Sequence, residues 1–280
     1  MQPVEGMSTL KRPAPVSLGL IGFGAIGRGV CDLLQRDPGD DTRIVGILVR
    51  DATAHRIRRP ELPFVEGGVA ELLDLLPSLV VEAAGHTALA MFGASILRSG
   101  RDLLIVSVGA LADDGLMTRL MEAASIGRSR LRIASGSIAG LDAISAASLI
   151  GLDSVHHTVR KPPNALLQPA DAAEVERLGV ASVLFAGAAR EAVLRFPQNA
   201  NVVAAVSLAG LGFDRTSVSI IADPSVTLNT HEVAVRGVFG ELDILMRNQA
   251  SPENPKTGRI AAASVVRQIR SDSDRLVIGS

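Results

Sequence analysis

An apolar run, Val16 to Ile21, leads directly into Gly22-Phe23-Gly24-Ala25-Ile26-Gly27, and Ala25, Ile26, Val30, Leu33 and Leu34 then recur at helical spacing. Few local patterns restrict a chain more, because a strand has to turn at once into a helix. Gly22 permits the tight turn, Gly24 lets the backbone approach a ligand, and Gly27 lets the helix pack closely on the strand. Such a helix begins with unpaired N–H groups at the positive end of its dipole, which is a seat for phosphate. The G-x-G-x-x-G spacing in this context predicts a dinucleotide site on Gly22, Gly24, Ala25, Ile26 and Gly27. A glycine-rich turn without a ligand is the plainer reading of the same residues.

The segments that follow alternate. Arg43 to Val49 reads as a second buried strand, Leu79 to Ala84 as a third, Asp102 to Ser107 as a fourth and Leu131 to Ala134 as a fifth. Helical patterns lie between them, around Gly68 to Leu76, at His86 to Arg98 and at Leu116 to Ile126. Strands rich in Val, Ile and Leu alternating with helices indicate a parallel sheet covered on both faces. The expectation is an α/β chain: a polar, flexible tail over residues 1–15, then a Rossmann domain over 16–138. Beyond a small-residue helix, Ile138 to Ile150, the texture changes. Val155 to Arg160, Ser217 to Ala222, His231 to Val238 and Gly240 to Leu245 alternate, with breaks at Asp223-Pro224 and Phe239-Gly240. This predicts a second, α+β substrate domain over 139–250 with a mixed, mostly antiparallel sheet. Gln249 to Lys256 reads as a loop. Ile260 to Ile269 is an amphipathic helix within a C-terminal segment (about 255–280) expected to return to the first domain.

Composition narrows the function classes. The 280 residues are 47% hydrophobic, enough for a sizeable buried core. No apolar run reaches the roughly 18 residues that span a bilayer, and the first fifteen residues lack the apolar stretch of a secretory leader. A cytoplasmic protein without a membrane partner is expected. A net charge of −1, with seven Phe and no Trp or Tyr, offers neither the basic footprint nor the stacking platforms of a nucleic-acid binder. Cys31 is the sole cysteine and reads as a core thiol of the first helix. With no HExxH and no paired CxxC, no metal site is expected.

Several residues could carry chemistry. Arg50-Asp51 ends the second strand, where a carboxylate bonds an NAD ribose and an arginine accommodates the 2′-phosphate of NADP; a solvated charge pair is the alternative. His86 follows the third strand at the ligand-binding edge, where it could neighbour the nicotinamide, a phosphate or the substrate, or be an ordinary helix start. Ser137 lies in a small-residue turn, Ser135 to Gly140, that could meet the nicotinamide half or merely join two domains. Lys161, before two prolines, could hold a substrate carboxylate, although most lysines are surface residues. Asn199 and Asn201 precede or open an apolar helix, where Asn201 could cap the helix instead of touching a ligand. His231 enters a strand from a turn, and histidine is the side chain suited to moving a proton near neutral pH. His156 and His157 face opposite ways along their strand and cannot chelate one metal together.

Taken together, these motifs resemble the L-aspartate dehydrogenases of pyridine-nucleotide biosynthesis. The resemblance runs through Gly22–Gly27, Ser135-Gly136-Ser137-Ile138-Ala139-Gly140-Leu141-Asp142-Ala143 and Arg160-Lys161-Pro162-Pro163. It continues through Phe196-Pro197-Gln198-Asn199-Ala200-Asn201-Val202, Asn229-Thr230-His231-Glu232 and Asn254-Pro255-Lys256-Thr257-Gly258. It implies a homodimer with a dimerising second domain, and reversible NAD- or NADP-dependent oxidation of L-aspartate to iminoaspartate. Water then yields oxaloacetate and ammonia, and the imine can feed NAD synthesis. The family's catalytic histidine falls on His231, and its cofactor contacts on Asn201 and on Ser137, where the family has alanine. Oxidation of an amine needs a base, for which His231 is the candidate, and Lys161 with the Asn199/Asn201 segment would help to hold the substrate carboxylates or the carboxamide. Two readings compete: another amino-acid or semialdehyde oxidoreductase of homoserine dehydrogenase-like or dihydrodipicolinate reductase-like architecture, and a non-catalytic NAD-binding regulator.

Overall fold

A computed structural model of the chain describes residues 15–37, 41–197, 200–251, 254–271, 273, 274, 276 and 278. Its first sheet has six parallel strands in the order β3-β2-β1-β4-β5-β6: β1 (Ser17–Ile21), β2 (Arg43–Leu48), β3 (Phe64–Val65), β4 (Leu79–Glu82), β5 (Asp102–Ile105) and β6 (Leu131–Ile133). Chain direction reverses its progress across the sheet between β1 and β4, and such switch points are where doubly wound sheets bind ligands. Side chains alternate between two buried layers. Leu18, Leu20, Leu79, Val81 and Leu104 enter one core, while Ile21, Val80, Leu103 and Ile105 enter the other. Burial on both faces explains why these strands read as continuous apolar runs.

Helix α1 (Ala25–Gln35) follows β1, and Gly29 brings it so close to the last helix, α10 (Ile260–Arg270), that a Cβ there would lie 2.8 Å from the Ala262 Cβ. Val265, Val266 and Ile269 of α10 share a core with Val30, Cys31 and Leu34 of α1. Helices α2 (Ala52–Arg58), α3 (Val69–Asp74), α4 (His86–Arg98) and α5 (Asp114–Gly127) complete the layers, with a 3-10 turn at Val108–Ala112. The short β3 and α2 had no counterpart in the sequence reading.

The second sheet has five strands in the order β11-β10-β7-β9-β8, formed by β7 (Leu152–Lys161), β8 (Ser182–Ala188), β9 (Ser217–Ala222), β10 (Asn229–Gly237) and β11 (Gly240–Asn248). Its pairs are antiparallel except β7 with β9, so it is mixed and mostly antiparallel, as expected. Its inner face packs on α6 (Leu141–Ser148), α8 (Ala189–Arg195) and α9 (Ala200–Ala209); α7 (Pro169–Leu178) lies before β8. Helix α6 starts later than its sequence pattern because Gly140 takes φ +75°, where a right-handed helix cannot run through. A two-stranded ribbon, β12 (Ala250–Ser251) with β13 (Asn254–Gly258), leads back to α10. Among the described residues no helix is long and apolar enough to cross a membrane.

Candidate active site

The glycine turn after β1 shows which of its members the protein itself requires. Gly22 has φ +93°, and a Cβ there would lie 2.8 Å from Ala83 O and from the Ala84 Cα. A Cβ on Gly27 would overlap the Gly22 carbonyl oxygen. On Gly24 it would meet nothing within 4 Å. Two of the glycines are thus demanded by packing, while the middle one keeps open a space that no protein atom fills. Gly24 also precedes α1 without any side-chain cap, and the first turn of α1 holds no acidic residue. An exposed, uncapped helix start beside an open backbone suits a pyrophosphate.

The carboxyl ends of the neighbouring strands are bound together by one buried carboxylate. Glu82 Oε1 accepts from Ala84 N–H (2.7 Å), Gly85 N–H (2.8 Å) and Ser107 Oγ (3.0 Å), and Oε2 accepts from Ser107 N–H (3.2 Å). Burial pushes its pKa up, and these four donors oppose that shift. Glu82 fixes the turns after β4 and β5 against the ligand edge. Nothing in the sequence reading singled it out.

A cavity opens between this edge and the inner face of the second sheet. Its walls include Ile26, Val106, Val108, Ser135, Gly136, Ser137, Lys161, Asn201, Val202, Asn229, His231, Asn248 and Gly258. Ile26, Ser137, Lys161, Asn201 and His231 are thereby brought together from the sequence candidates. Asn199 lies outside the described residues. Asn201 is not the cap of its helix: it sits in the first turn of α9, and its Oδ1 accepts from Gly109 N–H at 3.0 Å and lies 3.3 Å from His86 Nε2. His86 stands behind the cavity wall, holding Asn201. Because Gly109 N–H can only donate, the Asn201 oxygen must face it, and the amide nitrogen is the end left for the cavity. Asp51 is at the end of β2 as expected, but its Oδ1 caps α2 by accepting from Thr53 N–H (3.0 Å) and Ala54 N–H (3.5 Å). Arg50 beside it is exposed. Ser137 is buried, and its carbonyl oxygen accepts from Asn248 Nδ2 at 2.8 Å.

His231 and Lys161 are both buried, at 3% exposure each. His231 Nδ1 lies 3.1 Å from His157 Nε2, and His157 is fully buried. Burial holds the His231 pKa well below 6.5, and the neighbouring His157 and Lys161 lower it further. His157 is held at about 3 by burial, with a smaller push from His156. Burial therefore favours the neutral form of both rings. His156 points the other way, bonded through Nδ1 to Ser217 Oγ at 2.8 Å. Cys31 is buried in the first core, where desolvation pushes its thiol up to about 12 and leaves it inert. No group of three or more metal-ligating side chains occurs among the described residues.

The buried pair has a consequence for stability. The unfolded chain protonates His157 near the ordinary 6.5, whereas the folded chain does so only near 3. Between these values the unfolded state binds more protons, so stability present above pH 6.5 is lost as the pH falls towards 3. Urea midpoints measured from pH 7.5 to 4.5 should fall more steeply for the native protein than for His157→Phe. Equal slopes would show that His157 carries no such linkage.

Residues 22–134 match the family model described as homoserine dehydrogenase, NAD binding domain, and residues 142–272 match aspartate dehydrogenase, C-terminal. The chain is 40% identical over 254 residues to an L-aspartate dehydrogenase of Brucella anthropi, covering 90% of this chain and 94% of that one. It is 42% identical over 268 residues to that of Pseudomonas aeruginosa, covering 92% and 98%. The crystal structure of aspartate dehydrogenase from Thermotoga maritima superposes with a TM-score of 0.77 at 25% identity, over 94% of this chain and 99% of that one. A hyperthermophilic archaeal homoserine dehydrogenase in complex with NADPH shares the fold, with a TM-score of 0.61 at 12% identity over 92% and 97% of the two chains.

Proposed function

Since the chain belongs to the L-aspartate dehydrogenase family, we propose that it catalyses the reversible NAD(P)-dependent oxidation of L-aspartate to iminoaspartate, which water converts to oxaloacetate and ammonia. The observation that carries this reading is the placement of His231, Lys161 and Asn201 in one cavity beside the open glycine turn. A nicotinamide cofactor would supply the hydride acceptor for the substrate Cα, or the hydride donor in the opposite direction.

The chain's own residues bind, orient and exclude water. The start of α1 and Gly24 hold the pyrophosphate. Arg50 meets a 2′-phosphate when NADP is the cofactor, and Asp51 Oδ2 remains for a ribose hydroxyl. Ile26, Val106 and Val108 present apolar surface that would suit a nicotinamide ring, and the Asn201 amide nitrogen would donate to its carboxamide. Lys161 supplies a buried cation for one substrate carboxylate, with His86 acting through Asn201. Asn199, outside the described residues, is assigned to the substrate from its sequence segment alone. His231 contacts the reacting end.

Hydride leaves Cα only when the substrate nitrogen carries a lone pair, so the ammonium must first lose a proton. A ring held as low as His231 retains such a proton poorly, and the proton goes to solvent before productive binding. The resemblance extends the proposal to a homodimer that works in the cytoplasm and supplies its imine to pyridine-nucleotide synthesis.

Absorbance at 340 nm tests the reading, with L-aspartate, homoserine or no substrate and either cofactor. Reduction with L-aspartate alone supports it; cofactor binding without reduction would favour a nucleotide-sensing regulator. In the same assay, kcat/KM for L-aspartate should rise steadily through neutral pH towards the substrate amine's own pKa. A plateau beginning near pH 6.5 would instead assign proton removal to a histidine.

A further inference from the structure

We propose that His157 is a positioning residue that acts through His231, fixing the tautomer in which His231 Nε2–H faces the cavity and donates to a substrate oxygen. The proposal rests on the dehydrogenase reading above.

Strand register brings the two rings together. His231 lies opposite Val159 and His157 opposite Val233, so the histidines are diagonal neighbours on the inner face of the β7–β10 pair. Their ring centroids are 5.3 Å apart with planes tilted by 41°. His157 Nε2 and His231 Nδ1, 3.1 Å apart, must share a single hydrogen.

Which ring owns that hydrogen follows from the far side of His157. Its Nδ1 is buried and has no hydrogen-bond partner among the described residues. If His231 donated, the proton of neutral His157 would sit on Nδ1 as a buried N–H without an acceptor. If His157 donates, the orphan is a bare lone pair. Orphaned buried N–H groups are rarer than under-satisfied acceptors, so His157 donates. His231 Nδ1 then accepts, and its own hydrogen is on Nε2, the nitrogen left for the cavity that His231 lines. The other three histidines do not share this geometry: His156 bonds Ser217 on the opposite face, His86 bonds Asn201, and His55 packs against Phe23 and Phe64.

A neutral N–H donor suits the ammonia-consuming direction. Ammonia's nitrogen bonds the carbonyl carbon of the 2-oxo acid, and the C=O π pair moves onto oxygen. His231 Nε2–H holds that oxygen as charge grows on it. The excess proton on the new nitrogen passes to the oxygen, giving the neutral carbinolamine, and the hydrogen on His231 stays in place throughout. The Lys161 ammonium, on the same face of β7, anchors a carboxylate without competing for this oxygen.

Long-range proton–nitrogen NMR of the 15N-histidine-labelled full chain tests the assignment directly, with the five histidines sorted by single substitutions. The expected native pattern at pH 7.5 is His231 protonated at Nε2. His157→Phe, which keeps the volume but cannot donate, should erase that preference and lower kcat for amination of oxaloacetate by about 10- to 100-fold, with the NADH Kd unchanged. His157→Gln, whose amide can donate, should recover most of the loss. Native His231 protonated at Nδ1, or unchanged kcat in a folded His157→Phe, would overturn the proposal. The spectrum of the native protein decides the tautomer even if His157→Phe fails to fold. It also does so if aspartate proves not to be the substrate, so the two failures are distinguishable.

Discussion

His231→Ala should lower kcat with L-aspartate by ~10²-fold or more while the NADH Kd changes little, the loss typical of a donor or proton-handling group at the reacting centre. The selectivity of that effect follows from place. His231 projects from β10 into the cavity on the second sheet, whereas the pyrophosphate seat is on the turn between β1 and α1. Removing the ring touches the reacting end and leaves the cofactor seat intact. The substitution also leaves the His157 donor unpartnered in a buried site, so some stability is lost with it. His231→Phe separates the two effects by refilling the space without restoring a donor. Both variants should be equally poor catalysts although they differ in thermal midpoint. Near-normal turnover in either, with cofactor binding retained, would remove His231 from the reaction.

The glycine turn should divide cleanly under substitution. Gly27→Ala forces a Cβ into the Gly22 carbonyl oxygen, a clash between backbone segments that cannot relax by a rotamer change. We expect a loss of about 3 kcal/mol, the upper end for overpacking, and poor recovery of folded protein. Gly24→Ala meets no protein atom within 4 Å and needs no unusual backbone angle, so its thermal midpoint should stay within about 2 °C of the native value. Its cofactor Kd should nevertheless rise at least tenfold, or about 1.4 kcal/mol, because the new methyl group stands where the pyrophosphate must approach. NADH fluorescence titration beside a melting curve reads both quantities. If Gly24→Ala binds NADH normally, the phosphates lie elsewhere.

The parallel half was legible because its strands are short, apolar on both faces and punctuated by glycine. The two-residue β3 escaped because Phe64–Val65 is too short to show any period. Helix α9 is apolar around its whole surface, since it packs between both cores, so its pattern gave little warning of where its start lies. The site was less legible than the fold. His231 was found through its motif, but its partner His157 is 74 residues away, and only strand register unites them. Asn229 and Asn248 depended on the turn between β10 and β11. Gly237 pairs with Gly240, which puts the turn at Val238-Phe239 and the two asparagines opposite each other. A turn at Phe239-Gly240, as read from composition, shifts the pairing by two residues and sets Asn229 opposite position 250 instead of Asn248. Asp51 and His86 lie at the expected strand ends, yet one oxygen of Asp51 is taken by a helix cap and His86 bonds a neighbour's side chain. Local spacing cannot reveal such competition.

The packing of α10 on α1 also sets an order of events during synthesis. The layer of the parallel sheet that holds Leu18, Leu20 and Val30 is closed by Val265, Val266 and Ile269. All six strands of that sheet have left the ribosome roughly 130 residues before α10 does. At about 5–20 residues per second, that interval is ~6–25 s. For that time an apolar strip along α1 has no cover of its own and is a surface for a chaperone or a wrong partner. The nucleotide-binding half therefore cannot mature ahead of the half that holds His231, and a nascent chain gains both functions together.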